Sequence, residues 1–185
     1  MLEDFGSGLE IPVLETERLK LRGHREDDLV HCAAMWSDPV VIRYTTGTPL
    51  TEEESWRRVL SYAGHWALMG YGYWMAVEKA TGRFVGDVGF ADFKRAIEPS
   101  LKGIPESGWV LSPHAHGMGY ATEAVQAILA WGDAHFRLAR TACIIQPENT
   151  ASIRVAEKCG YKELTRTKYK GHDVLMFVRE TASPA

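Results

Sequence analysis

Between Ser112 and Glu123 the chain reads Ser-Pro-His-Ala-His-Gly-Met-Gly-Tyr-Ala-Thr-Glu. A strand-like run, Glu106 to Leu111, closes at Ser112-Pro113, two glycines make a turn, and a helical pattern running from about Gly117 to Phe136 begins at once. A strand that hands its backbone straight to a helix start leaves little choice of architecture around it. The first turn of any helix carries unpaired N–H groups. Together with the helix dipole these favour an anion. Gly117 and Gly119 lack Cβ, so a bulky phosphate can approach the main chain, and the pattern points to a pyrophosphate seat. Two glycines also make a tight turn with no ligand, and an isolated G-x-G is a weak signal. No G-x-x-x-x-G-K-[ST] occurs, which argues against a P-loop nucleotidase, and Thr122 stands where a dinucleotide fingerprint wants a third glycine.

The flanking elements follow from periodicity. Leu19 to Gly23 alternates like a half-buried strand. Leu29, Ala33 and Trp36 recur at helical spacing, and Ser37-Asp38-Pro39 stops that helix. Thr51 and Glu54 form a capping box, followed by Trp56, Val59, Leu60, Ala63 and Ala67 on one face. Tyr73 to Glu78 and Phe84 to Phe93 read as a hairpin around Ala80-Thr81-Gly82. Ala121, Ala124, Val125, Ile128 and Leu129 form the buried stripe of the long helix. Arg140 to Ile145 is a short apolar strand, Asn149 to Cys159 a helix, and Gly160 sits where a left-handed residue is wanted. Tyr161 to Tyr169 and Asp173 to Arg179 make a second hairpin around Lys170-Gly171. The order predicts an α+β domain: a mixed sheet with helices on it, neither doubly wound nor a barrel.

At 185 residues, 45% of them apolar, one core is the expectation, and the domain reads as 12–180 with flexible ends at 1–11 and 181–185. Acidic residues number 24 against 21 Lys and Arg, a formal charge of -3 without a basic patch, so nucleic acid is not an expected partner. No run approaches the ~18 apolar residues of a membrane span, and the acids and glycines of Met1 to Glu10 do not read as a secretory signal. Cys32, Cys143 and Cys159 are odd in number and lie among apolar neighbours. They fit neither a disulfide framework nor a metal site, and imply reduced thiols in a cytoplasmic protein.

A second segment, Gln146-Pro147-Glu148-Asn149-Thr150-Ala151-Ser152-Ile153-Arg154-Val155-Ala156-Glu157-Lys158-Cys159-Gly160-Tyr161, completes a pattern. Taken with His114 to Glu123, it closely resembles the GNAT superfamily of acetyl-coenzyme A-dependent N-acetyltransferases. The signature is [QR]-x-x-G-x-[GA] leading into the long helix, N-x-x-[AS] opening the next, and G-[FY] ending it. Gly119 to Ala124, Glu157 to Tyr161, Leu14 to Leu19 and Asp38 to Val41 look most like the branch of ribosomal-protein N-terminal acetyltransferases. The resemblance spans roughly 12–180.

It implies a mostly antiparallel sheet of about six or seven strands flanked by about four helices, with a splay between the fourth and fifth strands. It implies acetyl-CoA as co-substrate and no metal. The main chain of His114, His116, Gly117, Met118, Gly119, Tyr120 and Ala121 would hold the pyrophosphate. Trp109, Val110 and Leu111 would pair with the pantetheine arm, and Asn149 and Ser152 would touch it near the sulfur. His114 departs from the family's Gln or Arg, and Ala156 stands where the family often carries a tyrosine acid.

Acetyl transfer to an amine needs a neutral nucleophile, a donor to the thioester oxygen, for which a main-chain N–H near Val110 is expected, and a proton for the leaving thiolate. Glu106, at the start of the strand, is the expected base, and Ser152 the nearest hydroxyl for the acid; a surface Glu and a helix-start Ser are the plain alternatives. The first two helices, the loop Asp38–Pro49 and the last hairpin would form the acceptor pocket, with the loop Lys94–Gly103 folding over it; of the aromatics concentrated there, Trp36, Tyr44, Trp56, Trp66, Tyr71 and Trp74, most are expected as ordinary core and one or two as tunnel wall. The acceptor stays open: a protein N-terminus, or an antibiotic, polyamine or amino acid. A coenzyme A-binding sensor without turnover is the non-enzymatic alternative, and a homodimer is an option of the family.

Overall fold

The computed structural model describes residues 10–136 and 140–180. The expected loose ends fall largely outside that range, although Ile11 packs on the main core and the Pro12 carbonyl accepts from Trp74 Nε1 at 2.7 Å.

In chain order the elements are β1 (Leu14–Glu15), β2 (Leu19–Arg22), α1 (Leu29–Ser37), α2 (Pro39–Ile42), α3 (Glu52–Met69), β3 (Tyr73–Glu78), β4 (Phe84–Ala91), β5 (Glu106–Leu111), α4 (Tyr120–His135), β6 (Arg140–Ile145), α5 (Thr150–Lys158), β7 (Lys162–Tyr169) and β8 (His172–Glu180). They form one sheet, β1-β2-β3-β4-β5-β6-β8-β7. That is one strand more than the upper expectation and one helix more than four. β1 has only two residues, too few to show alternation. The extra helix arises because Asp38-Pro39 starts as well as stops: the Asp38 carboxylate accepts from Val40 N–H at 2.8 Å while Pro39 occupies the first turn.

Other boundaries hold for local reasons. Thr51 and Glu54 make the capping box in both directions. Lys170 and Gly171 both adopt positive φ, +49° and +83°, the two-residue turn that matches strand twist. Two helix faces differ from the apolar count. α1 buries Cys32, Met35 and Trp36, and α3 buries Ser55, Val59, Tyr62 and Trp66, while Leu60 is 50% exposed. Alanines mark a helix, but the aromatic rings decide its rotation: Tyr62 stacks on Tyr73 and Trp66 packs edge-on to Trp74.

The sheet divides the core. Trp74, Ala76, Val88 and Phe90 face α4 and α5. Met75 faces α1 and α3 with Cys32, Trp36 and Val59. Every neighbouring pair is antiparallel except β5 and β6, which the α4 crossover makes parallel. β4 follows β5 along its length, from Gly86↔Leu111 to Ala91↔Glu106, and β6 follows β8 from Arg140↔Glu180 to Ile145↔Leu175. Between them β5 and β6 meet only at Glu106↔Ala142 and then part. The sheet is therefore two well-zipped halves hinged at one end of an open seam.

Candidate functional site

The open end of that seam leads into the glycine turn. Gly117 and Gly119 hold φ of +74° and +81°, the left-handed region that only glycine enters without strain. The helix begins at Tyr120 rather than Gly117, because Gly119 acts as its N-cap. Ala115 and His116 donate back to Ser112 and Pro113, and Glu123 donates to Gly119. Between them, the main-chain N–H groups of Gly117, Met118, Gly119, Tyr120, Ala121 and Thr122 donate to no described residue. A Cβ built on Gly117 would meet no atom within 4 Å. The seat thus offers amides and room, the two properties an oxyanion-rich group needs.

The loop is fixed from beneath by side chains. His114 Nε2 donates to Phe84 carbonyl and His116 Nε2 to Leu111 carbonyl, both at 2.9 Å. Both imidazoles therefore brace the turn, and their main chain rather than their rings faces the seat. Arg18, which sequence reasoning passed over, donates to Met118 carbonyl at 2.9 Å, pairs with Glu123 at 2.6 Å and lies over the Tyr120 ring. Burial raises the Glu123 carboxyl, but hydrogen bonds from Thr16 and Arg18 outweigh it and hold the group below its ordinary range. Tyr120 is buried and donates to Glu78.

Along β5, Ser112 N–H donates to Val85 carbonyl. The register to β4 is unbroken, so alternation aims the Val110 N–H at β4 and those of Trp109 and Leu111 into the seam. The main-chain N–H groups near Val110 that face the seam are therefore those of Trp109 and Leu111. At the closed end Glu106 is 5% exposed, against the plain alternative of a surface Glu. Its carboxylate is gripped by Arg95 through Nε at 2.7 Å and Nη2 at 2.6 Å. Burial lowers the Arg95 guanidinium, and Glu106 more than restores it, a net rise. Phe93 and Tyr169 sandwich that guanidinium. The Lys94–Gly103 loop is pinned by Ile97 and Leu101, which pack against Ala142, Val174 and Met176.

Asn149 and Ser152 stand together at the start of α5: the Asn149 side chain accepts from Ser152 N–H at 3.2 Å, a helix cap. The Ser152 hydroxyl bonds to no described residue. Tyr161 is buried in the core, and it does more than pack. Its hydroxyl bridges Ser107 Oγ at 2.8 Å and Thr141 Oγ1 at 2.9 Å, clasping β5 to β6 where the seam closes.

Trp66, Tyr71 and Trp74 are ordinary core, as expected for most of the six aromatics. These belong to the main core, on the side of α4. Trp36, on α1, packs with Val59 and Met75 on the other face of the sheet. On the α1–α3 face, Asp87 accepts from His24 Nε2 at 2.9 Å, Trp36 Nε1 at 3.3 Å and Tyr62 OH at 3.3 Å. His24, Cys32 and Asp87 place possible ligand atoms within 4.8 Å of one another, but Asp87 already serves as hub for these donors, so the cluster reads as a buried polar network. The three thiols are free and buried, and burial raises Cys159 to about 11.

A family model described as an acetyltransferase (GNAT) domain matches residues 18–162. The chain belongs to the GNAT acetyltransferase family. The uncharacterized N-acetyltransferase p20 of Bacillus licheniformis is 32% identical over 89% of this chain and 93% of its own. A solved structure from Bordetella pertussis described as GnaT-family superposes with a TM-score of 0.81 at 28% identity, over 91% of this chain and 99% of that one. A RimL ribosomal-protein acetyltransferase in complex with coenzyme A shares the fold at TM-score 0.72 and 18% identity, over 94% and 100%. The GNAT fold anticipated from two short motifs is the one found, splay included.

Proposed function

We propose that this GNAT acetyltransferase moves an acetyl group from acetyl-CoA to a primary amine by direct attack within a ternary complex. The carrying observation is the coincidence of six consecutive unpaired amides, Gly117 to Thr122, with a seam that opens toward them. A diphosphate on those amides directs the attached thioester arm along Trp109, Val110 and Leu111, where the outward N–H groups of Trp109 and Leu111 bond the arm in place of the missing β6 ladder. Asn149 and Ser152 flank the arm from α5. The RimL-type neighbour that binds coenzyme A on the same fold supports this reading.

The Trp109 N–H takes the role of donor to the thioester oxygen as it gains charge, worth roughly 3 kcal/mol of barrier in comparable sites. Glu106 takes the role of base. A carboxylate has about four lone-pair sites, and Arg95 approaches from one edge, which leaves room for a water that relays the amine proton. The acceptor is a protein N-terminus or a small-molecule amine reaching the seam from the α1–α3 face. Three buried thiols suit a reducing, cytoplasmic setting.

Calorimetry with coenzyme A, followed by thiol release from acetyl-CoA over a panel of amines and N-terminal peptides, tests the proposal. Saturable binding and turnover with at least one amine class support it. Binding with no turnover on any amine identifies a coenzyme A sensor, and no binding removes the reading altogether.

A further inference from the structure

With Ala156 at the family's tyrosine position, α5 carries no phenol for the departing sulfur. The opposite face of the sheet holds one. Tyr73 on β3 pairs with Gly89 on β4, which pairs in turn with Gly108 on β5. These two glycines clear a lane one residue wide across the sheet, and the Tyr73 ring lies down along it. A Cβ on Gly89 would stand 2.9 Å from Tyr73 Cγ, and a Cβ on Gly108 would stand 2.0 Å from Tyr73 OH. Glycine inside a buried strand weakens it, and a close approach is the usual compensation. Here the thing approaching is a phenol, delivered to the strand that borders the seam.

The ring is held, but its hydroxyl is not. Tyr62 stacks on it at 4.7 Å with an interplanar angle of 13°. The Tyr73 main-chain carbonyl accepts from Trp66 Nε1 at 3.0 Å. The residue is 8% exposed, and its hydroxyl bonds to no described residue. Its donor proton is therefore free for a group that enters the seam. A rigid ring with an unpartnered hydroxyl beside Gly108, one residue from the outward N–H of Trp109, is a group waiting for a ligand atom.

We infer that Tyr73 is a catalytic residue whose hydroxyl donates a hydrogen bond to the thioester sulfur as the carbon–sulfur bond breaks. This rests on the acetyl-transfer reading above. The chemistry balances without another reactant: the N–C bond forms, the C–S bond breaks, the amine gives up one proton and the thiol leaves with one. Burial raises the phenol's pKa, with the nearby Glu106 charge pushing the same way, so Tyr73 remains a neutral donor throughout the working range. The His24–Asp87 network supports Tyr62, and through it the ring, from the far side.

The test is Tyr73→Phe in the full chain, with Tyr73 replaced by a ring-fluorinated tyrosine as the second variant. Thiol release at saturating amine is the readout, with coenzyme A affinity and thermal midpoint measured alongside. The Phe variant keeps the stack, so it should fold and bind coenzyme A as the parent does, while kcat falls about 10²-fold. The fluorinated phenol, still a donor, should keep kcat within about threefold. A Phe variant that turns over like the parent overturns the inference, as does an equal loss in both variants, which would mark a packing role. Were the unaltered protein to release no thiol with any amine, the parent reading would fall and take this one with it.

Discussion

Tyr73 and Tyr161 are the same side chain in nearly the same degree of burial on opposite faces of one strand. Both phenols are pushed up chiefly by desolvation. Tyr161 spends its hydroxyl on Ser107 and Thr141, one from each strand of the seam, and so pins the closed end. Tyr73 spends its hydroxyl on nothing in the described protein and stops at Gly108. A fully satisfied buried group holds a scaffold together; a hydroxyl without a partner in the described protein, kept rigid by its neighbours, is free for something that arrives later. The contrast assigns structure to one face of β5 and chemistry to the other.

The harshest way to break that division is at Glu106, which shares the Tyr73 face. Glu106→Gln preserves size but replaces the basic carboxylate with an amide that cannot take up the proton, so kcat should drop by about 10²–10⁴. Its loss also frees Arg95, so the variant's thermal midpoint must be followed in parallel. A rate within tenfold of the parent would move the base elsewhere on that face. At the phosphate end, Gly119→Ala should weaken coenzyme A binding about tenfold: the left-handed φ of +81° costs an alanine roughly 1–2 kcal/mol. The strain would shift the helix cap and with it the row of free amides. Calorimetry reads this directly, and an unchanged affinity would detach the loop from the cofactor.

Tyr161→Phe sharpens the comparison from the other side. It leaves the Ser107 and Thr141 hydroxyls facing each other without their bridge, a loss of about 1–3 kcal/mol. Denaturant unfolding should show that loss, while kcat per folded molecule should stay within a few-fold. A large kcat loss with unchanged stability would reverse the roles assigned to the two tyrosines.

The sequence exposed these regions unequally. The Gly117–Gly119 turn and the Asn149 cap were legible because each is local: a backbone conformation or a cap is written into three or four consecutive residues. The seam was legible only through family likeness, since nothing in Glu106–Leu111 alone says that β6 will part from it. Tyr73 was not legible at all. Its meaning depends on Gly89 and Gly108 falling in register with it, and that register is set by the turn after Glu78 and the long loop after Ala91, not by the residues beside Tyr73. The one available hint was the presence of Gly86, Gly89 and Gly108 inside apolar strands, where glycine is disfavoured without a reason. The burial of Glu106 was hidden in a similar way. Its partner Arg95 lies eleven residues away in a loop whose fold depends on Ile97 and Leu101 finding Ala142 and Met176. The α3 face went astray because small apolar residues were weighted like rings.

The smallest expected effect concerns the brace under the amide loop. Glu123 holds Arg18 through its carboxylate, and Arg18 holds the Met118 carbonyl. The Glu123 pKa is lowered on folding, so the group contributes stability above its unfolded value of about 4.3 and loses it as the pH falls through the folded value. Glu123→Gln should therefore lower the thermal midpoint at neutral pH, by no more than about 4 °C because Arg18 is substantially solvent-exposed. The gap between variant and parent should close as the pH drops below about 4. Rising salt should narrow it too, in the exposed part of the pair. A gap that persists at low pH would mean that Glu123 acts through packing rather than charge, and that the loop's position depends on Tyr120 and the two histidines instead.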